Sequence, residues 1–276
     1  MRGGVLRSRG APLAAAGALI VAAYVLLAAG APVLAPADPF QMAPQTLLAP
    51  PSRAHPCGTD QFGRDVLSRL LYGARISLGV AFASTAFALG AGGTAGMLAG
   101  YAGGALDHVL MRAMDVIFAF PAVLLALAIM AVAGTTVGTV VVAIGIVYTP
   151  QFARVSRAGV LAVRGLEYVE AAGALGATPA RVLVRHVLPN ITAPLTVQTS
   201  LTLSLAILTE SALSFLGLGT QPPTPSWGNM LAEARRVMVT APWTAVAPGA
   251  AIALVVLGFN LLGDGLRDWL DPRLHL

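Results

Sequence analysis

Lysine is missing from this sequence, and all 17 of its basic residues are arginine. A Walker A phosphate loop needs a lysine to reach the β- and γ-phosphates, so an ordinary ATP motor is excluded from the chain. No GxGxxG nucleotide fingerprint, nucleophilic serine elbow or HExxH zinc pair occurs either. The single cysteine, Cys57, leaves no internal disulfide and says nothing of redox compartment. Charge is scarce as well: 11% of the residues are charged. A soluble domain carries about a quarter. Lipid must therefore replace water around much of this protein.

What the sequence has instead is apolar length, with 57% hydrophobic residues and a mean hydropathy of +0.78. About 20 apolar residues span a bilayer. Six runs qualify, at Leu13–Leu34, Ile76–Gly100, Asp115–Ala133, Thr135–Thr149, Ile191–Leu216 and Thr244–Gly263. The fourth is short. The first, behind Arg2, Arg7 and Arg9, also has the form of a signal peptide, with Ala29-Gly30-Ala31 as a cleavage site. Its length and the following Pro32 favour a retained span. The expected fold is an all-α membrane protein of about six transmembrane helices, with a tail at 1–12 and one membrane domain over 13–276.

Arginine placement sets orientation. With the N-terminus inside, inner segments hold 11 arginines and outer segments 6. Both termini are then cytoplasmic. The net charge of +5 is explained by this topology, and no nucleic-acid partner is expected. Gly92, Gly96 and Gly100 form a small-residue groove at a spacing of four, unless chance among 30 glycines produced it. Arg112 and Asp115 form an i, i+3 pair, and Pro121 kinks the third span. The outer loop at 35–73 ends in an amphipathic helix over Arg64–Tyr72. The outer loop at 217–243 contains QPPTPSWG, a rigid, turn-forming stretch.

The inner loop at about 151–190 is the longest polar stretch. Helix formers run from Gly159 to Leu175, and Gly176 offers the positive φ that ends a helix. Thr178 caps the next helix and Pro179 fits its first position. That helix is expected to end before Pro189. Two short helices at a tight corner would project into the cytoplasm. Ala171, Ala172 and Ala174 would let this knob enter a partner's groove, and Glu170 would fix its register. A helical hairpin lying on the membrane is the plainer alternative.

The run Glu170-Ala171-Ala172, Gly176, Leu188-Pro189 resembles the EAA loop of ABC importer membrane subunits. His186, where isoleucine is common, is similar to the peptide-and-nickel branch. GTDQFGRDVLSRLLYGARISL (58–78), ESALSFLGLGTQPPTPSWGNML (210–231) and LGDGLRDWLDPR (262–273) resemble further signatures of that branch, in the same order. Cys57 departs from its usual larger apolar residue. The resemblance implies a type I ABC importer transmembrane domain, a permease in the bacterial inner membrane for peptides, nickel complexes or glutathione. It implies a second homologous permease, two ATPase subunits and an extracytoplasmic binding protein as partners. ATP and Mg would belong to the ATPases, with no cofactor here. Glu170, Ala171, Ala172, Gly176, His186, Leu188 and Pro189 would form the coupling loop. An exporter or channel is the rival within transport.

Other residues admit two readings. Thr192, Thr196 and Thr199 share a helix face, either lining a hydrated path or bonding a neighbouring helix. Glu210, an ionisable group at membrane depth, either touches cargo or anchors a neighbouring helix. His55, Cys57 and Asp60 are metal-ligand types at no standard spacing. Asp264, Asp268 and Asp271 would suit a metal-diphosphate enzyme, but no second aspartate cluster accompanies them. They read better as a solvated tail, and the chain as non-catalytic.

Overall fold

The computed structural model describes residues 3–270, with side chains from residue 11 onward. Asp271 and Arg273 lie outside the described residues, as do the side chains of Arg2, Arg7 and Arg9. Helices dominate: α1 (Gly3–Ala29), α2 (Ala31–Leu34), α3 (Val66–Ala102), α4 (Gly104–Phe118), α5 (Ala122–Ala133) and α6 (Val137–Val163). They are followed by α7 (Glu167–Ala174), α8 (Pro179–Val182), α9 (Leu188–Phe215), α10 (Trp227–Ala234) and α11 (Trp243–Leu270). Five are long and apolar enough to cross a membrane, or six if the bent pair α4 and α5 counts as one broken span.

The chain threads up and down. Gly92, Gly96 and Gly100 of α3 meet Thr149, Ala153 and Val160 of α6 in the same order, so these two helices run parallel. Ser200 and Ser204 of α9 bond the Phe259 and Val256 carbonyls of α11, so that pair is antiparallel. Gly17 of α1 meets Leu262 of α11, and Gly265 meets Ala14. The described chain thus begins and ends at one end of the bundle. That end also carries α7, and the other carries α10.

At Gly92 and Gly96 a Cβ would run into the Thr149 and Ala153 carbonyls. The glycine groove is real packing: in lipid, where water drives nothing together, close backbone approach supplies the van der Waals contact.

Several expectations need correction. The second span is longer than its apolar run: α3 has 37 residues, about 55 Å at 1.5 Å per residue. The amphipathic helix expected at Arg64–Tyr72 is simply its first turns, opened by Asp65, which caps Ser68 N at 2.7 Å. The third span is not one kinked helix. Pro121 stands between α4 and α5, which bend by 92°, and α5 alone is about 18 Å long. The fourth span is not short: a Thr136/Thr139 capping box opens 27 residues that continue through Pro150 to Val163. Finally, Asp115 pairs with Arg154 at 2.9 Å rather than with Arg112.

Candidate functional site

After α6 the chain turns over residues 164–166 and forms α7. Val169 is buried and roots this short helix, while Glu170 and Ala171 are exposed and Ala172 is half-buried. Its end is a Schellman motif. Gly176 has φ +85°, its N–H donates to the Gly173 carbonyl at 2.9 Å, and the Ala177 N–H donates to Ala172 at 3.1 Å. Leu175 beside it is 88% exposed, so the knob presents an apolar tip. Thr178 caps Arg181 and Pro179 opens α8, as the sequence pattern predicts.

The expected stop before Pro189 does not occur. A π-helical turn at Leu183–Val187 closes with Leu188 N–H on the Leu183 carbonyl, and the helix continues into α9. Proline lacks an N–H to give to residue i−4 and its ring crowds that carbonyl. The wider π turn just before it relaxes that register. His186 lies on this turn, half-buried, and Asn190 donates to its carbonyl at 2.7 Å. His186 thus lies on one helix that runs from Pro179 through the π turn into α9, and Glu170 is joined to it across the Gly176 corner.

Farther along α9, Thr192, Thr196 and Thr199 line an open groove of about 420 Å³ between α9 and α3. Leu89, Gly93, Met97 and Leu195 share the lining. Each threonine hydroxyl donates to a carbonyl three or four residues earlier, at 2.7–2.8 Å. Their methyl groups are left for the groove, which is therefore largely apolar.

Glu210 is not part of it. The residue is 0% exposed, with one carboxylate oxygen accepting from Ser77 at 3.0 Å and the other from Ser214 at 2.8 Å. Trp227 N–H donates to the same Ser77 hydroxyl at 3.2 Å, and the Trp227 ring is wholly buried. Glu210 ties α3, α9 and α10 together, the arrangement of a helix anchor. Isolated carboxylates are expensive at membrane depth, and the serines satisfy this one.

The α10 end holds a second network that sequence reasoning missed. Arg64 bonds Asp60 at 2.6 Å and Glu233, and Arg69 bonds Glu233 at 3.1 Å. His55 faces Asp65 at 2.9 Å rather than joining Cys57 and Asp60. Among the described residues, no three His, Cys, Asp or Glu side chains converge as for a metal. The Asp60–Arg64 spacing was the one available signal for this network. Nothing in the sequence pointed to Glu233, 169 positions away. At the α7 end, Arg154, Arg157 and Arg164 bond Asp115, Asp107 and the Gly100 carbonyl. Asp264 and Asp268 are exposed near the end of α11.

This geometry is a helical membrane path with a projecting loop. The family described as "Binding-protein-dependent transport system inner membrane component" matches residues 92–276. The chain belongs to this family. It is a multi-pass inner-membrane permease, as the resemblance implied. Similar relatives include a dipeptide transport system permease of Alkalihalophilus pseudofirmus, 47% identical over 84% of this chain and 76% of that one. A glutathione transport system permease of Pectobacterium atrosepticum is 49% identical over 81% and 74% respectively. Among solved structures, an inward-facing methionine ABC transporter, MetNI, superimposes with a TM-score of 0.59 at 20% identity, covering 71% of the permease and 93% of that chain. The fold is that of an ABC importer's membrane subunit.

Proposed function

We propose that the permease forms half of a gated path for small peptides and is driven through α7. The α7 end faces the cytoplasm, in keeping with the arginine excess of 11 against 6. There α7 seats in one of two ATPase subunits, which hold ATP and Mg. A second, homologous permease completes the path, and a binding protein delivers cargo at the α10 end. The observation that carries this reading is α7 itself: an exposed helix with a capped C-terminus, joined by the Gly176 corner to a helix that runs from Pro179 into the groove-lining α9.

Cargo follows from the relatives, whose names specify dipeptides and glutathione. Both are short peptides. An apolar groove with threonine methyls offers contacts weak enough for exit as well as entry. The chain supplies gating and coupling, and no chemistry. Replacing Glu170 with Arg, or Gly176 with Val, is expected to abolish uptake while the protein stays in the membrane. Valine at φ +85° would strain the corner. Normal uptake of a labelled dipeptide by both variants would sink the assignment. The purified chain alone is expected to hydrolyse no ATP.

A further inference from the structure

Helix α4 has no buried residue. It is jointed at both ends, by Gly103 and Gly104 at φ +66° and +56° and by the 92° break before α5. Its ion pairs to the bundle are made by two arginines of α6, and a third arginine follows at the end of that helix. Arg154, Arg157 and Arg164 are spaced i, i+3 and i+10, within about a quarter turn of one another. Arg164 holds the Gly100 carbonyl in the last turn of α3 at 2.9 Å, just ahead of the first joint. Arg157 grips Asp107 in the first turn of α4 with two bonds of 2.6 Å. Arg154 bonds Asp115 at 2.9 Å and covers the Phe118 ring at 4.3 Å, beside the second joint.

The three contacts are not equal. Arg154 and Asp115 are 46% and 50% exposed, where water screens a single ion pair. Arg157 and Asp107 are 35% and 13% exposed and are joined through both carboxylate oxygens, the stronger geometry. Arg157 also stands six residues before the end of α6, which leads directly to α7.

We infer that Asp107 and Arg157 form a latch that makes α4 move as one body with α6 and the coupling helix α7. It is built on the reading of α7 given above. These are positioning residues: they touch neither cargo nor nucleotide. With the latch closed, displacement of α7 pulls α4 and bends the chain at Gly103–Gly104 and at Pro121. With it open, α7 moves while α4 stays behind, and ATP is hydrolysed without transport.

The test uses the assembled transporter, with both permeases, its ATPases and its binding protein, in proteoliposomes. Arg157→Gln and Asp107→Asn complexes are expected to keep near-parental ATP hydrolysis. Labelled dialanine taken up per ATP falls roughly tenfold, within the usual span of coupling between sites. The exchange variant, Arg157→Asp with Asp107→Arg, is expected to recover most of that ratio. An unchanged ratio in Arg157→Gln, or hydrolysis and uptake falling together without recovery in the exchange, overturns the latch. A second measurement needs no cargo. Spin labels at Val109→Cys and Ala174→Cys, in a Cys57→Ser background, should keep their separation between nucleotide-free and ATP-trapped complexes. In Arg157→Gln the separation should shift with nucleotide; an equal shift in both backgrounds overturns the proposal. Glu170→Arg separates the two ideas. If it abolishes uptake while Arg157→Gln transports normally, only the latch falls; if it transports normally, the reading of α7 falls.

Discussion

At Glu210 a carboxylate at membrane depth is held by hydroxyls alone. Removing it leaves Ser77 and Ser214 without their acceptor, in a place water does not reach. Glu210→Ala is expected to destabilise the permease by about 1–3 kcal/mol for each buried group left unpaired. Glu210→Gln, which keeps an acceptor and the volume, should lose less. Thermal unfolding in detergent reads both. Full stability in Glu210→Ala with lost transport would return the residue to the path. Arg69 is only 2% exposed and relies on Glu233 and Asp60. Glu233→Ala removes the nearer of these partners and leaves that buried charge with Asp60 at 3.6 Å, for an expected loss of up to about 3–5 kcal/mol. Cys57 shows a milder effect. Burial, and then the nearby Asp65 charge, push its thiol above the usual range. Because the thiolate is the reactive form, maleimide labelling of Cys57 should be slow at neutral pH and accelerate as pH rises.

Helix pairing shows where one-dimensional patterns suffice. The spacing of Gly92, Gly96 and Gly100 named the face of α3, and α6 backbone lies against it. Gly96→Leu is therefore expected to separate α3 from α6 and lower the yield of folded protein in detergent. A methyl group added at Gly79 would meet nothing within 4 Å. Gly79→Ala should be neutral or stabilise by up to about 1 kcal/mol through helix propensity. Size-exclusion profiles of the two variants compare them directly, and equal behaviour would refute the groove. Prolines were harder to read. Pro121 ends a helix, Pro150 lies within one, and Pro189 follows a π turn that lets the helix pass. The residue is the same in each case. What differs is whether neighbouring turns supply the missing bond, and local sequence does not record that.

For the whole molecule, the number of crossings came from apolar length, since a bilayer of fixed thickness imposes it. The resemblance to importer permeases supplied the family, and membership in it follows from the match over 92–276. Orientation is tested with reporters: alkaline phosphatase fused after Arg236 should be active, and after Leu175 inactive. The reverse pattern would invert the membrane topology and remove α7 from the cytoplasm. Composition and short-range pattern suffice for a lipid-embedded helical bundle, for a chain without a lysine-dependent ATP site, and for the Gly176 corner after α7. Each rests on composition or on residues a few positions apart. Tertiary structure alone decided that Glu210 is an anchor, that Glu233 answers Arg64 and Arg69, and that α6 arginines grip α4. Those partners lie 39 to 169 positions apart, except the Ser214 bond to Glu210 one turn away. Only the fold brings such distant groups within hydrogen-bond reach, because the cost of burying charge selects whichever partners packing makes available.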